Sequence, residues 1–247
     1  MGKIDLDKEI RKHLRGKSRE EVSSAFFQWI RAYCEEIEPD EALRTLFDID
    51  TRLYGYQSKT SVAYGNGVHP KHRHMKYHDF FVNRVSKGER VLDMGCGIGA
   101  VAFDMASRSG AKVFGYDIDP KNIQQAKESF QHENVHYEVL DVLKKSFEEP
   151  FDVVVFSNVL EHLPNRPQLL KKLKQTTGAK RFLIRVPMFD REWRVPLKKE
   201  LGVDYRLDPT HEIEFTKKIF LEEMAEAELI IKELEVRWGE IWSEVSV

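Results

Sequence analysis

A short strand that runs directly into a glycine-rich loop is the sequence feature that most restricts the fold of this chain. The apolar segment Val91–Met94 is followed by Gly95, Gly97 and Gly99, and a helical pattern begins at Ala100. Glycine adopts positive φ angles and allows backbone N–H groups to approach a ligand, and open α/β sheets bind ligands at such strand–loop–helix turns. The segment therefore predicts an α/β fold with a ligand site at this loop.

From Arg90 onward, short apolar strands alternate with helical stretches, which is typical of βαβ units around a parallel sheet. We expect a doubly wound, Rossmann-like α/β sheet of seven strands, with the last two forming a C-terminal antiparallel hairpin. Thr216 is predicted to cap the last helix, with Phe215 and Phe220 as a hydrophobic staple. The predicted strands are 90–94, 112–117, 135–141, 151–157, 181–187, 229–238 and 241–247, and the predicted helices between them are 100–109, 120–130, 167–175 and 217–226.

The residues before the first strand are mainly helical in pattern. From Arg19 to Glu38, apolar residues recur at three- and four-residue steps, which predicts a helix with one buried face. Further helices are expected at about 42–54 and 71–85. We assign residues 1–86 to a helical N-terminal extension and cap, and residues 87–247 to the ligand-binding core. An insertion at about 188–214 is expected to form the substrate side.

Composition limits the partners of the chain. No apolar run approaches the ~20 residues of a membrane helix, so no membrane partner is expected. Acidic and basic residues are intermixed and the formal net charge is -2, which argues against nucleic acid as a partner. The N-terminal segment lacks the apolar stretch of a signal peptide, which favours a cytoplasmic location. The two cysteines, Cys34 and Cys96, lie in different predicted elements and predict neither a disulfide framework nor a cysteine metal site.

The glycine loop alone is compatible with two kinds of ligand. Gly95, Gly97 and Ala100 satisfy a dinucleotide-binding pattern, with Asp117 about 20 residues further on to hold a ribose. Asp93, however, ends the strand before the loop, where a carboxylate would repel a pyrophosphate and attract the ammonium and sulfonium groups of S-adenosylmethionine (SAM). We therefore predict SAM as the cofactor. The loop residues predicted to contact SAM are Gly95, Cys96, Gly97 and Gly99.

Two later strand ends supply further candidate contacts to SAM. Asp117 ends the second strand, where its carboxylate oxygens can accept both ribose hydroxyls, and Ile118 is placed to lie against the adenine. Asp141 follows the third strand and can accept from the adenine amino group, with the Val142 N–H available to a ring nitrogen. The alternative role for Asp141 is that of a turn or capping residue.

In order and spacing, the segments VLDMGCGIG, GYDIDP, LDV and SNVLEHL resemble the class I SAM-dependent methyltransferases. They are most similar to the branch that includes the ubiquinone-biosynthesis O-methyltransferases, over about Val68–Val186. The resemblance implies that Arg73 reaches the methionine carboxylate of SAM from before the first strand, and that Gly95 and Asp117 contact SAM. It also implies that Ser157 or Asn158 borders the methionyl part.

Several histidines are candidates for the chemistry. His162 follows the fourth strand, titrates near neutrality and is the first candidate for a general base, with a structural or lid-fixing role as its alternative. In the cluster around His74, that residue and His78 share one helix face and suit either a metal pair or a cap over SAM. No carboxylates accompany the pair, so we expect the cap, with His74 as a second catalytic candidate and no metal. His211 lies in the expected substrate cover.

The leading functional hypothesis is methylation of a hydroxyl on a sugar or another small polar metabolite, such as a glycan precursor. Trp193, with Arg194 and Arg191 beside it, suits an acceptor ring with an acidic group. The alternatives are an N-methyltransferase, a protein or RNA methyltransferase, and a SAM-binding partner subunit without turnover. A nicotinamide-dependent oxidoreductase is disfavoured by Asp93. The sequence does not indicate an oligomeric state.

Overall fold

The strands lie where the alternating pattern predicts them, and they form one sheet. The computed structural model describes residues 6–144, 147 and 149–247. In chain order the strands are β1 (Arg90–Met94), β2 (Lys112–Asp117), β3 (Val135–Val139), β4 (Val153–Ser157), β5 (Arg181–Pro187), β6 (Ile230–Arg237) and β7 (Glu240–Ser246). Their order across the sheet is β3-β2-β1-β4-β5-β7-β6. The pairs β5·β7 and β6·β7 are antiparallel and the other pairs are parallel, which confirms the predicted fold class.

The strand order reverses between β1 and β4, and this reversal positions the site. In open α/β sheets, ligands bind outside the carboxyl ends of the strands at such a switch point. The glycine loop follows β1 and Ser157 ends β4, so both lie at this edge. Alternate residues of β1 enter different hydrophobic clusters, with Val91 in one cluster and Leu92 and Met94 in the other. The sheet is therefore covered on both faces.

The helices after β1 begin and end close to the predicted residues. Thr216 caps the last helix, because its side chain accepts from the Ile219 N–H, and the rings of Phe215 and Phe220 lie 5.9 Å apart. The predicted cap and staple are both present. The helices are α1 (Leu6–Leu14), α2 (Arg19–Glu35), α3 (Pro39–Tyr64), α4 (Lys71–Met75), α5 (Tyr77–Val82), α6 (Ala100–Ser109), α7 (Pro120–Ser129), α8 (Arg166–Thr177), α9 (Arg194–Glu200) and α10 (Lys217–Glu226).

The chain divides into two compact units. The first contains the residues up to Thr60 together with Glu200–Val203, and the second contains Ser61–Lys199 and Asp204–Val247. The first unit's N-terminal part ends at Thr60. Helices α4 and α5, which the sequence assigned to the extension, therefore lie in the second unit. α5 contributes Phe80 and Phe81 to the core of that unit.

Two expectations for the N-terminal helices are wrong. α2 has no buried residue, and Trp29 on its predicted buried face is 67% exposed. The described part of the first unit consists of helices and the short segment Glu200–Val203, so this unit has no sheet against which α2 could bury a face. The single helix predicted at 71–85 is two short helices, because Lys76 adopts a left-handed conformation with φ 52°.

Within residues 6–144, 147 and 149–247, no helix is both long enough and apolar enough to cross a bilayer.

Candidate active site

The loop after β1 is built from glycines that cannot be replaced without strain. Gly95, Gly97 and Gly99 have φ angles of +69°, +54° and +84°. A Cβ atom on Gly95 would lie 2.6 Å from a methyl group of Val159, and one on Gly99 would lie 2.7 Å from the Tyr137 ring. At Gly97 there is open space, and only the backbone conformation favours glycine. The loop therefore lies close against its neighbours at two positions and is open at the third.

The N–H groups of this loop bind protein acceptors. Those of Gly95 and Cys96 donate to the Tyr116 carbonyl at 2.8 and 2.9 Å. The Gly97 N–H donates to the Asp117 carboxylate at 2.8 Å, and the Gly99 N–H donates to the Cys96 carbonyl at 3.0 Å. A pyrophosphate site requires N–H groups that point at the ligand. These four N–H groups are bonded within the protein and are not available to a phosphate.

Asp93 is buried, and one of its carboxylate oxygens has no partner among the described residues. The residue is 1% exposed, and within the described residues its Oδ2 atom is buried without a hydrogen bond. Burial, and next the charge of Asp117, raise the pKa of Asp93 to about 7. A buried acceptor of this kind calls for a donor or cation from a ligand. The ammonium and sulfonium groups of SAM meet that requirement, so the residues at this strand end fit the predicted cofactor.

Asp117 is already partly occupied by hydrogen bonds. Besides the Gly97 N–H, it accepts from the Asp119 N–H at 2.9 Å and from the Asn122 side chain at 3.2 Å. An ionised carboxylate has about four acceptor positions, so one remains for a ribose hydroxyl. Ile118 is 71% exposed at the same edge, as expected of an apolar residue that lies against an adenine. Both contacts to SAM remain predictions.

Asp141 acts as a turn residue in this structure. Its side chain accepts from the Leu143 N–H at 3.1 Å and pairs with Lys144 at 2.8 Å. The hydrogen bond from Lys144 lowers the pKa of Asp141. Val142 packs against one of the two hydrophobic clusters. The geometry supports the alternative role that the sequence left open, and the adenine contact remains a prediction.

The end of β4 lies over a buried ion pair that the sequence analysis missed. Arg185, which is 2% exposed, contacts Glu240 through two nitrogens at 2.6 and 2.7 Å and donates to the Ser157 hydroxyl at 3.2 Å. Its guanidinium carbon lies 3.8 Å from the centre of the Tyr77 ring. Asn158 adopts a φ of 58° and has a buried Oδ1 atom without a partner in the described residues. The arginine within the apolar run 181–187 was the available sequence signal.

Arg73 lies on α4 beside a pocket of about 380 Å³. The pocket is also lined by Ala100, the first residue of α6, so Arg73 faces the helix that follows the glycine loop. Its guanidinium lies 5.7 Å from the centre of the Tyr64 ring. This placement is compatible with the predicted contact to the SAM carboxylate.

The histidines around α4 do not form the predicted pair. His78 is buried and binds Asp104 through Nδ1 at 2.7 Å and His72 through Nε2 at 2.8 Å, whereas His74 is exposed. Burial, with His78 as the next cause, lowers the pKa of His72 to about 3. One ring nitrogen of the half-buried His72 is bonded to one of His78, and the expected shared face of His74 and His78 is absent because the helix breaks at Lys76.

A second group of titratable side chains lies beyond β4, on the turn Leu160–His162 and the segment before α10. The rings of His162 and His211 are nearly perpendicular, with centres 4.5 Å apart. Glu161 is fully buried, and its Oε1 atom lies 4.0 Å from Nε2 of His211. We call Glu161, His162 and His211 the Glu161 cluster. The structure thus brings together two predicted histidines from distant parts of the sequence and adds Glu161, which the sequence analysis missed.

Hydrogen bonds fix the ring orientations in this cluster. His211 Nδ1 donates to the Glu214 carboxylate at 2.8 Å. His162 Nδ1 lies 2.9 Å from the Thr210 hydroxyl, which itself donates to Asp208 at 2.6 Å, so the hydroxyl oxygen accepts from Nδ1–H. The Nε2 lone pair of each ring is thereby left for other partners. Burial, and next His211, lower the pKa of His162, which favours the neutral ring at pH 7.

The predicted acceptor contacts differ in exposure. Trp193 is 71% exposed, just before α9. Arg194 pairs with Glu192 at 2.7 Å, and Arg191 is held by Glu214 at 2.7 Å. Trp193 therefore presents an accessible ring, whereas Arg191 anchors the insertion.

A doubly wound sheet with a buried carboxylate beside the glycine loop at its switch point defines a Rossmann-like protein whose site residues fit SAM. The profile of the family described as "Methyltransferase domain" matches residues 85–228. The chain therefore belongs to this methyltransferase family, as the sequence motifs predicted.

Relatives extend the comparison. The ribosomal protein L11 methyltransferase of Thermotoga neapolitana is 34% identical over 125 residues, which cover 50% of this chain and 45% of that protein. The ubiquinone biosynthesis O-methyltransferase of Neisseria meningitidis serogroup C is 36% identical over 90 residues, which cover 34% and 38%. The structure of magnesium protoporphyrin IX methyltransferase from Synechocystis PCC 6803 with bound S-adenosylhomocysteine gives a TM-score of 0.55 at 18% identity, over 70% of this chain and 83% of that one. This chain spans about half the length of the curated relatives it matches.

Proposed function

We propose that the protein transfers the methyl group of SAM to a hydroxyl of a sugar or another small polar metabolite. The observation that carries the proposal is the Glu161 cluster, which lies just past the end of β4. It combines two imidazole rings with a buried carboxylate, and these are groups that can remove a hydroxyl proton. An amine acceptor that is already deprotonated would not require them.

SAM supplies a methyl group that is already activated on a sulfonium, so the protein chiefly has to bind, align and deprotonate. In this proposal Asp93 stabilises the cationic part of the cofactor and Arg73 binds its carboxylate, while Asp117 and Ile118 hold the ribose and adenine. The Glu161 cluster takes the proton of the acceptor. Trp193 stacks on an acceptor ring at the insertion.

Methylation of a protein side chain is the second candidate. The observation that favours it is the match to relatives named ribosomal protein L11 methyltransferase. A net charge of -2 and intermixed charges argue against RNA as the acceptor.

The test is transfer of a labelled methyl group. The protein is incubated with methyl-labelled SAM and cell extract separated into small metabolites, proteins and RNA, with Asp93→Asn as the cofactor-site control. Label in a small metabolite, at an oxygen and only with the wild type, is the expected result. Label in the protein or RNA fraction, or on nitrogen, would replace the proposed acceptor. Binding of SAM without transfer to any fraction would indicate a partner subunit instead.

A further inference from the structure

We propose that Glu161, His162 and His211 bind a divalent first-row transition-metal ion. Each residue offers one ligand atom, and these three atoms lie within 4.8 Å of one another. They come from two segments far apart in sequence, the turn after β4 and the end of the insertion. The sequence predicts no metal, so this inference departs from that expectation.

The strongest observation is the state of Glu161. The residue is 0% exposed, and within the described residues neither carboxylate oxygen has a hydrogen-bond partner. A buried carboxylate without donors is costly, and buried charges in proteins are normally paired or coordinate metals. Its backbone carbonyl accepts from the Glu212 N–H at 2.9 Å and the Ile213 N–H at 3.3 Å. These bonds hold Glu161 against the segment that carries His211, so the carboxylate is directed into the cluster by the fold.

The two histidines make the hydrogen bonds that metal-ligating histidines usually make. A ligating histidine usually donates its other ring N–H to a carboxylate or another acceptor, which fixes the tautomer and the ring orientation. His211 does so to Glu214, and Glu214 is held in turn by Arg191 and by the Leu207 N–H, both at 2.7 Å. His162 does so to the hydroxyl of Thr210. Both Nε2 lone pairs are then available to an ion.

The donor set identifies the class of ion. Two imidazoles and one carboxylate suit divalent iron, cobalt, manganese or zinc, and three protein ligands leave positions open for a further oxygen. Ligand bonds of about 2.0 to 2.2 Å place neighbouring ligand atoms about 3 Å apart. Glu161 Oε1 and His211 Nε2 are 4.0 Å apart and all three ligand atoms lie within 4.8 Å of one another, so side-chain movements of about 1 to 2 Å complete the site.

The histidine pair of α4 and α5, His72 and His78, lacks these properties. His72 and His78 bond to each other at 2.8 Å, and the second nitrogen of His78 binds Asp104. The ring nitrogens of this group are therefore already bonded within it, including His72 Nε2, which lies 3.1 Å from the Tyr77 hydroxyl. With an ion bound in the Glu161 cluster, the imidazoles would act as ligands instead of as bases, and the ion would bind the acceptor oxygen and favour loss of its proton to solvent. This role rests on the proposed methylation of a hydroxyl, whereas binding of the ion does not.

The test is titration of the chelator-treated full chain with Co²⁺, followed by visible absorption and calorimetry in the absence of any acceptor. We expect one ion per chain with a visible ligand-field band. Glu161→Gln and His211→Gln should each weaken binding at least tenfold, and Glu214→Gln should weaken it about 10- to 100-fold by releasing the His211 ring. His136→Ala, which changes an exposed histidine on β3, should leave binding unchanged.

SAM titration of every variant verifies the fold, and His211→Gln decides the question if Glu161→Gln does not fold. A wild type without a ligand-field band, or equal weakening by His136→Ala and Glu161→Gln, would overturn the proposal. Because no acceptor is present, failure here is distinct from failure of the proposed function, which depends only on where the labelled methyl group is found.

Discussion

Asp93 couples the cofactor site to pH. Its pKa is raised to about 7 by burial and by Asp117, so the carboxyl of the free protein is largely protonated at pH 6. A cationic ligand favours the ionised form and lowers this pKa. Binding of SAM at pH 6 should therefore release a proton from Asp93, and the affinity should fall as the pH drops from 8 to 5.5.

Calorimetry in buffers of different ionisation enthalpy measures both effects. Asp93→Asn should bind SAM more weakly at pH 8 and should lose this pH dependence. If Asp93→Asn keeps the same pH profile as the wild type, another group is responsible.

Asp117→Ala removes an acceptor of ribose hydroxyls. The loss of a charge-assisted hydrogen bond should cost about 1.5 to 3 kcal/mol, or roughly ten- to a hundredfold in SAM affinity. Asp119→Ala is a matched control, because Asp119 caps α7 and is not expected to contact SAM. That variant should lower thermal stability and change SAM affinity by less than about threefold. Equal affinities for Asp117→Ala and the wild type would contradict the assignment of the ribose contact.

His162→Asn tests the chemical step. Loss of a positioned proton acceptor or of a metal ligand should lower kcat by ~10² to 10⁴, with SAM affinity within about threefold. A structural His162 would instead change thermal stability and SAM binding together with activity. His74→Ala tests the exposed alternative in the same assay. If neither variant changes kcat by more than about fivefold, alignment alone carries the reaction.

At the scale of elements, α4 carries the predicted contact to the methionine carboxylate. Arg73→Lys keeps the charge but loses the planar fork of N–H donors, so SAM should bind more weakly. Arg108→Lys is the control, because Arg108 lines the same pocket and pairs with Asp79. Calorimetric titration measures the SAM affinity of both variants, and only Arg73→Lys should differ from the wild type. Equal affinity of Arg73→Lys and the wild type would show that the resemblance does not extend to this position.

Elements were predictable from the sequence where local pattern and tertiary packing agree. β1, β2 and β5 match their predicted bounds, because each is a short apolar run that lies inside a helix-covered sheet. α2 satisfies the helical period equally well, yet none of its residues is buried. The helix breaks at Lys76, where the sequence has neither a glycine nor a proline, so the helical pattern predicted one continuous helix.

The cofactor part of the site could be predicted from the sequence, whereas the Glu161 cluster could not. The cofactor edge follows from residues at successive strand ends, so sequence order alone places Asp93, Asp117 and Ser157 together. The Glu161 cluster depends on backbone hydrogen bonds between Glu161 and Glu212–Ile213, which are non-local and leave no periodic signal. Arg185 and Glu240 pair because β5 and β7 are neighbours, which the sequence order does not show.

At the scale of the whole molecule, the two units divide the predicted roles unequally. Every predicted contact to SAM lies in the second unit, as do both hydrophobic clusters. A fragment of residues 61–247 should therefore fold around the sheet and bind SAM within about threefold of the full chain. Circular dichroism and calorimetry measure the two properties. A fragment that folds but binds SAM more than tenfold more weakly would show that the helices before residue 61 contribute directly to SAM binding. Arg73 would then not be sufficient as the contact from the N-terminal side, and a residue before position 61 would also have to contact SAM.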